Sequence, residues 1–152
     1  GIIDEVLCSD GEGVKHLHQV AGGSVKPASH ETVDAREHFI YQEGQAVFKW
    51  AVVKMAEATE EILKRNNMTS QDIAYLLPHQ ANMRIISATG KRLEMPDEKV
   101  LVNIEKYGNT TSATIPMLMF ENQHKFKKGD NLILTAFGAG FTWGAVLVKW
   151  AI

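Results

Sequence analysis

A histidine lies at the end of a predicted buried strand, in the segment LPHQAN at residues 77–82. In open α/β sheets, ligands bind at the edge formed by the carboxyl ends of the strands. The positive end of the helix that follows favours a neutral imidazole, so His79 is suited to donate a hydrogen bond to an oxyanion. A core histidine bonded to a carbonyl is the alternative interpretation.

A second polar side chain, Asn109, follows the next predicted strand in the segment GNTT at residues 108–111. Because the carboxyl ends of parallel strands meet at one edge of a sheet, we expect Asn109 to lie beside His79. An amide N–H and an imidazole N–H directed at one oxygen would stabilise an enolate or a tetrahedral oxyanion. Alternatively, the segment is only a turn that starts a helix.

A glycine-rich segment, AFGAGFTWG at residues 136–144, follows a third predicted strand. Its small residues would let backbone amides approach a ligand closely, although a hairpin bend explains the same composition. The helix after His79 carries Arg84, Lys91 and Arg92, which suit a phosphate or an acidic protein. A solvated helix face is the commoner meaning of such a strip.

Two further groups give weaker signals. His16 and His18 alternate along the chain without a nearby third ligand, so we do not expect a zinc site. Cys8, the single cysteine, stands neither at a helix start nor beside a base, so it is not predicted to be a nucleophile. One cysteine excludes an internal disulfide and agrees with a reducing cytoplasm.

The composition of the chain indicates a globular domain. Its 152 residues are 45% hydrophobic and 22% charged, which provides for one sizeable core. Residues 77–152 carry a net charge of +3 against −5 for residues 1–76, a weak indication of an anionic ligand; nucleic acid is not expected. Residues 131–148 lack charge, but their glycines and β-rich flanks favour a hairpin over a membrane span, and no secretory signal is recognisable.

The elements that must position these side chains form an alternating pattern. Apolar residues at spacings of three and four predict a helix from Val47 to Ile62, after a short strand at 38–42. A strand at 74–77, a helix at 80–93, a strand at 100–104 and a helix at 112–126 follow, before the closing hairpin. This βαβαβαββ order predicts an α/β fold with a mostly parallel five-stranded sheet whose last strand is antiparallel. Ahead of it, 2–7 is a possible strand and 9–32 a long loop.

Three motifs in order resemble the carboxyl-terminal half of the β-ketoacyl-acyl carrier protein synthase III family. They are PHQANMRII at 78–86, GNT at 108–110 with Pro116, and FGAGFTWG at 137–144. The resemblance implies the thiolase-like fold, in which two related α/β halves stack. Residues 1–37 would then be the last strand and connecting loop of the amino-terminal half, and residues 38–152 the carboxyl-terminal domain.

The resemblance also implies a role for each candidate side chain. His79 and Asn109 match the pair that binds the thioester oxygen of malonyl-acyl carrier protein during a decarboxylative Claisen condensation with an acyl group from acyl-CoA. Asn82 would contact the pantetheine arm, and Arg84 would contact CoA phosphate or the acidic carrier protein. Phe137 would lie by the nucleophile. The backbone amide of Ala139 would join the oxyanion hole, although this position is often glycine. No cofactor or metal is implied beyond these substrates.

The family's nucleophilic cysteine belongs to the other half, and nothing in this sequence matches its strand-to-helix turn. We therefore expect a fragment, a processed piece or one part of a split enzyme that is inactive alone and exposes apolar surface. The complete enzyme would be a cytoplasmic homodimer that starts fatty acid synthesis. A related thiolase-fold acyltransferase of secondary metabolism and a non-catalytic binding module are the alternatives.

Overall fold

The computed structural model describes residues 1–152, which form two sheets and five α-helices. The strands are β1 (Ile2–Ser9), β2 (Leu17–Gln19), β3 (Ile40–Gln42), β4 (Tyr75–Pro78), β5 (Asn131–Gly138) and β6 (Thr142–Lys149). The helices are α1 (His30–Asp34), α2 (Gly44–Arg65), α3 (Met83–Arg92), α4 (Ile104–Tyr107) and α5 (Thr114–Asn122). The α/β class is confirmed.

The main sheet has four strands in the order β1–β6–β5–β4. β4 pairs parallel with β5, whereas β6 pairs antiparallel with both β5 and β1. Three strands thus run in one direction and β6 runs against them, so the antiparallel last strand and the closing hairpin are confirmed. The prediction of five strands is wrong, and the prediction of a mostly parallel sheet is confirmed only in part, since two of the three strand pairs are antiparallel.

The strand predicted at 100–104 is reduced to a single parallel bridge between Val100 and Leu76. After Leu101 donates to the Leu76 carbonyl at 2.9 Å, the next amides turn away from the sheet. The N–H groups of Asn103 and Ile104 instead donate to Oε1 of the buried Gln80, at 2.9 and 3.1 Å. Because a side chain takes these donors, the ladder stops and α4 begins.

The strand predicted at 38–42 also lies outside the main sheet. β3 pairs with β2 in a separate two-stranded sheet, and β1 occupies the edge of the main sheet. β1 is eight residues long and pairs along the free edge of β6, whereas β3 has three residues and exposes Ile40. The long loop predicted at 9–32 is likewise wrong in part, since it contains β2, the start of α1 and a short 3-10 helix. The domain boundary at residue 37 stays a prediction.

Helices cover both faces of the sheet and build the core. On one face, Ile62 of α2 packs with Ile133 and Leu147, which lie opposite each other on β5 and β6. On the other face, Leu118 of α5 packs against Leu77 and Leu132. The predicted helices at 80–93 and 112–126 are shorter in the structure, because Asn82 caps α3 and 3-10 turns flank α5.

The face that carries α5 is covered only in part. Leu7 of β1 lies opposite Gly144, on this same face, and its side chain is 72% exposed. Phe120, on α5 itself, is 73% exposed. Apolar surface is therefore open to solvent on this side, as expected from the sequence. None of the helices combines the length and the apolar character that crossing a bilayer requires.

Candidate active site

A cavity of about 1510 Å³ opens at the carboxyl end of β4 and β5, and the starts of α2 and α3 contribute to its wall. This volume exceeds the usual 300–1,000 Å³ of a small-molecule site, so it has room for an elongated ligand. All six predicted site residues line the cavity, namely His79, Asn82, Arg84, Asn109, Phe137 and Ala139. The structure thus brings together side chains and backbone from three separate segments.

His79 is fixed by its backbone and by one ring nitrogen. Its N–H donates to the Thr135 carbonyl at 2.8 Å, which extends the β4–β5 pairing by one residue. Its Nδ1 lies 2.6 Å from Oγ1 of Thr114. Burial lowers the pKa of His79, because desolvation disfavours the imidazolium ion. The ring is therefore neutral at pH 7, and its Nε2 makes no hydrogen bond within the protein.

Asn109 lies in an exposed turn between α4 and α5. Its Oδ1 accepts the N–H of Thr111 at 2.9 Å, which leaves the Nδ2 donors without a protein partner. The turn has two residues in the left-handed region, Gly108 at φ 66° and Thr111 at φ 53°. This local bond orients the amide so that its N–H groups are available to a ligand in the cavity.

A surface network fixes the chain that leads into this turn. Glu121 of α5 accepts hydrogen bonds from Asn103 Nδ2 at 2.9 Å and from Tyr107 Oη at 2.8 Å, and it also pairs with Lys106. These donors lower the pKa of Glu121 to about 2, with the Lys106 ammonium as the main cause. The carboxylate is therefore ionised throughout the neutral range.

The hairpin between β5 and β6 supplies another part of the cavity wall. Phe137 is buried and its ring packs against Phe141, with 4.8 Å between the centroids. Ala139 is exposed, its carbonyl accepts the Thr142 hydroxyl at 2.9 Å, and its N–H has no partner within the protein. Gly140 has φ 143°, and a Cβ there would lie 2.9 Å from the Thr142 nitrogen, so this bend requires glycine.

Asn82 and Arg84 have structural contacts of their own at the rim of the cavity. Oδ1 of Asn82 caps α3 by accepting the Arg84 N–H at 2.8 Å, so its Nδ2 is the group available to a ligand. The Arg84 guanidinium lies 5.2 Å from the ring centroid of Phe48. The guanidinium is exposed and lines the cavity, so its N–H groups are available to an anionic group.

Two residues that orient the site were missed in the sequence. Gln80 is fully buried, and its Nε2 donates to the Pro78 carbonyl at 2.8 Å and more weakly to Leu101 at 3.4 Å. Thr114 is 2% exposed and contacts His79 from 35 positions away. For Gln80 the available signal was its place between His79 and Asn82, directly after a buried apolar strand. For Thr114 the sequence gives none.

Comparison with known protein families identifies the family to which this chain belongs. A family model described as the carboxyl-terminal part of 3-oxoacyl-[acyl-carrier-protein] synthase III matches residues 63–150, which is more than half of the chain. The chain belongs to this family. The matched residues include His79, Asn109 and the hairpin, but the match itself does not assign roles to them.

Curated relatives of this chain have the same family name. A β-ketoacyl-[acyl-carrier-protein] synthase III of Porphyromonas gingivalis is 60% identical over 151 residues, and synthase III 1 of Bacteroides thetaiotaomicron is 55% identical over 150. In each case the match covers 99% of this chain but only 45% of the relative. The chain thus spans less than half the length of these condensing enzymes.

Solved structures show that this chain has the thiolase-like fold of its relatives. The 3-oxoacyl-(acyl carrier protein) synthase III of Pseudomonas aeruginosa superposes with a TM-score of 0.86 at 33% identity, covering 99% of this chain and 46% of that one. The priming β-ketosynthase of the R1128 polyketide pathway superposes with a TM-score of 0.83 at 28% identity, covering 99% and 45%.

Proposed function

We propose that this chain supplies the His–Asn part of a β-ketoacyl-acyl carrier protein synthase III active site. The observation that carries the proposal is the convergence of His79 and Asn109 on one cavity, each with a nitrogen that has no protein partner. Two neutral N–H donors beside an apolar wall are suited to stabilise charge on an oxygen in place of water. The substrates would be an acyl-CoA, with acetyl-CoA as the first choice, and malonyl-acyl carrier protein.

The reaction uses these donors at the decarboxylation step. An acyl group first passes from acyl-CoA to a cysteine thiolate, with release of CoA. The malonyl thioester then loses CO2, and the electron pair of the broken C–C bond forms an enolate whose oxygen accepts hydrogen bonds from His79 and Asn109. The resulting carbanion attacks the acyl-cysteine carbonyl, the thiolate leaves, and a β-ketoacyl-acyl carrier protein forms. The Ala139 amide would stabilise the tetrahedral oxyanion of that attack.

The rim residues would bind the long arm of both substrates. Asn82 Nδ2 would contact pantetheine, Arg84 would contact CoA phosphate or the acidic carrier protein, and Phe137 would pack beside the acyl-cysteine. No resident cofactor enters this chemistry.

We assign the nucleophile to a polypeptide segment outside these residues. Cys8 lines the cavity from β1, but no base or cation makes a hydrogen bond with its exposed thiol. The open apolar face around Leu7 and Phe120 would pack against that segment. The complete enzyme would be a homodimer, and its free cysteine suits the cytoplasm.

The proposal is tested in a chimera in which this chain replaces the matching part of the Porphyromonas gingivalis relative. Two steps are measured: acyl loading from labelled acetyl-CoA, and decarboxylation of malonyl-acyl carrier protein. We expect His79→Ala and Asn109→Ala each to slow decarboxylation about 100- to 1,000-fold and to leave acyl loading intact. His124→Ala, at an exposed histidine away from the cavity, is the matched control and should change neither step.

Unchanged decarboxylation in both alanine variants would instead indicate a non-catalytic binding module. Cys8→Ser should leave acyl loading unchanged, and the isolated chain should form no acetoacetyl-acyl carrier protein. Product formed by the isolated chain would contradict our assignment of the nucleophile.

A second candidate function is the priming of a secondary-metabolite pathway, which the similarity to the R1128 priming β-ketosynthase favours. The His–Asn chemistry would be the same, but the acyl donor would differ. Acyl loading of the chimera from a panel of CoA thioesters distinguishes the two candidates. Acetyl-CoA should load fastest if the protein starts fatty acid synthesis, and another CoA thioester should load fastest if it primes a secondary-metabolite pathway.

A further inference from the structure

The bend between β5 and β6 is held from outside its own hairpin by a turn that follows β1. This turn consists of the 3-10 helix Gly11–His16 and its cap Asp10, and we call it the 10–16 turn. The Asp10 N–H donates to the Phe141 carbonyl at 2.8 Å, directly beyond the last pair of β1 and β6, Ser9 with Thr142. The backbone of the bend is therefore bonded to the 10–16 turn.

Gly13 is the point at which the turn and the bend approach most closely. It is buried, and a Cβ there would lie 2.4 Å from Cγ of Phe141 and 2.6 Å from the Phe141 backbone nitrogen. Restoring an ordinary van der Waals distance of about 3.4 Å to that nitrogen requires a shift of about 0.8 Å. The two segments thus fit together only while residue 13 is glycine.

The 10–16 turn is itself fixed at both ends. At its start, Oδ1 of Asp10 accepts the Glu12 N–H at 2.9 Å. At its end, the His16 carbonyl accepts the Glu43 N–H at 2.8 Å, directly ahead of α2, and His16 Nδ1 lies 2.5 Å from Glu43 Oε2. The His16 ring also stacks on Phe141, with 5.9 Å between the ring centroids. The bend therefore packs against a turn that is anchored to β1 and α2.

The Ala139 amide depends on this support. Ala139 lies two residues before Phe141, and the Thr142 hydroxyl bonds to its carbonyl, but its N–H has no partner within the protein. The direction of that N–H is thus set only by the backbone of the bend. Asp10, Gly13 and Phe141 do not line the cavity, so any effect of theirs on a ligand passes through the bend.

We propose that the 10–16 turn positions the Ala139 amide, with Gly13 and Asp10 as positioning residues. This inference rests on the proposed function, in which the Ala139 N–H stabilises a tetrahedral oxyanion. The acyl oxygen becomes negative when the cysteine thiolate attacks acyl-CoA, and again when the carbanion attacks the acyl-cysteine. His79 and Asn109 stabilise a different oxygen, that of the malonyl thioester. The 10–16 turn should therefore affect acyl loading and condensation but not decarboxylation.

The test measures two steps in the chimera described above. They are acyl loading from labelled acetyl-CoA, and decarboxylation of malonyl-acyl carrier protein without an acyl donor, in which the enolate takes up a proton instead. We expect Gly13→Ala to lower the maximal rate of loading about 10- to 100-fold and to leave decarboxylation intact. The acetyl-CoA concentration that gives half of the maximal rate should change little. His79→Ala should show the reverse pattern.

Gly11→Ala is the matched control, since it makes the same substitution in the same 3-10 helix. A Cβ at Gly11 would have no atom within 4 Å, so this variant should change neither step.

Asp10 provides a second test that introduces no clash. Asp10→Ala removes the acceptor of the Glu12 N–H and loosens the turn, so it should slow loading several-fold. Asp10→Asn keeps an acceptor oxygen and should restore loading. Circular dichroism and thermal unfolding identify the variants that fold.

Equal loading rates in Gly13→Ala and Gly11→Ala would overturn the proposal. If Gly13→Ala does not fold, full loading by Asp10→Ala has the same meaning. An equal loss of loading and decarboxylation would also overturn it, because a misplaced amide affects only the first. Unchanged decarboxylation in His79→Ala contradicts the proposed function instead, since that result does not depend on the 10–16 turn.

Discussion

His79 and Asn109 face the same cavity, but the protein orients them by different means. On the His79 side, the backbone extends the β4–β5 pairing, and the neighbouring Gln80 is fully buried with its amide bonded to four backbone groups. On the Asn109 side, an exposed turn depends on one local bond and on a surface network around Glu121. One donor is built into the core, and the other is presented by a loop.

This difference predicts unequal rigidity along the site. Buried hydrogen bonds open only with a large part of the fold, whereas exposed turns fluctuate at little cost. Under the proposed function, a fixed imidazole would give the oxyanion site its geometry, and a more mobile amide would let a bulky thioester enter. Gln80 links the two sides, because its Oε1 accepts the N–H groups that precede the Asn109 turn.

The largest expected effect on stability is at this link. Gln80→Met keeps the approximate volume but leaves buried backbone groups of the 78–104 region without partners. We expect the free energy of unfolding to fall by about 3 kcal/mol, measured by urea denaturation of the chain. Gln71→Met, at an exposed glutamine, is the matched control and should change stability by less than about 0.5 kcal/mol. Equal losses of unfolding free energy in the two variants would contradict our interpretation that the His79 side is held by buried hydrogen bonds and the Asn109 side is not.

A smaller effect is expected in the Asn109 turn, and it has the opposite sign. Thr111 adopts φ 53°, which is costly for a β-branched residue and easier for asparagine. Thr111→Asn should therefore raise the free energy of unfolding by about 0.5–1 kcal/mol. Thr110→Asn, where φ is −92°, should give no such gain. Destabilisation by Thr111→Asn would show that the threonine side chain has packing that outweighs its backbone strain.

The smallest expected effect concerns Glu121, because its ion pair is partly exposed and screened by solvent. Folding lowers the pKa of Glu121 from its ordinary value of 4.5 to about 2. The ionised carboxylate therefore stabilises the fold fully at pH values above about 4.5. That contribution is lost as the pH falls from about 4.5 to about 2.

Glu121→Gln should accordingly reduce the melting temperature slightly at pH 7 and not at pH 2. Added salt should reduce the difference at pH 7. Glu105→Gln, at an exposed carboxylate of α4 outside this network, is the control. If the melting temperature of Glu121→Gln is still lower than that of the unchanged protein at pH 2, the carboxylate charge is not what stabilises the turn.

Much of the fold follows from local sequence patterns. Apolar residues at helical spacing define α2, and β-rich runs around glycines define the β5–β6 hairpin. The strand before His79, predicted at 74–77, is found one residue later at Tyr75–Pro78. The family resemblance identified the six site residues, and the structure places all of them on one cavity. Their individual roles stay predictions.

The sequence by itself thus determined that His79 and Asn109 are candidate donors. It also placed each of them after a strand, although the strand before Asn109 is reduced to a single bridge. Only the tertiary structure decided that β1 completes the main sheet, that the 100–104 segment leaves the ladder, and that Thr114 meets His79. Periodicity and turn chemistry depend on neighbouring residues, so they are visible in the sequence. The other features depend on which distant groups satisfy one another's hydrogen bonds after burial, and no local pattern specifies that choice.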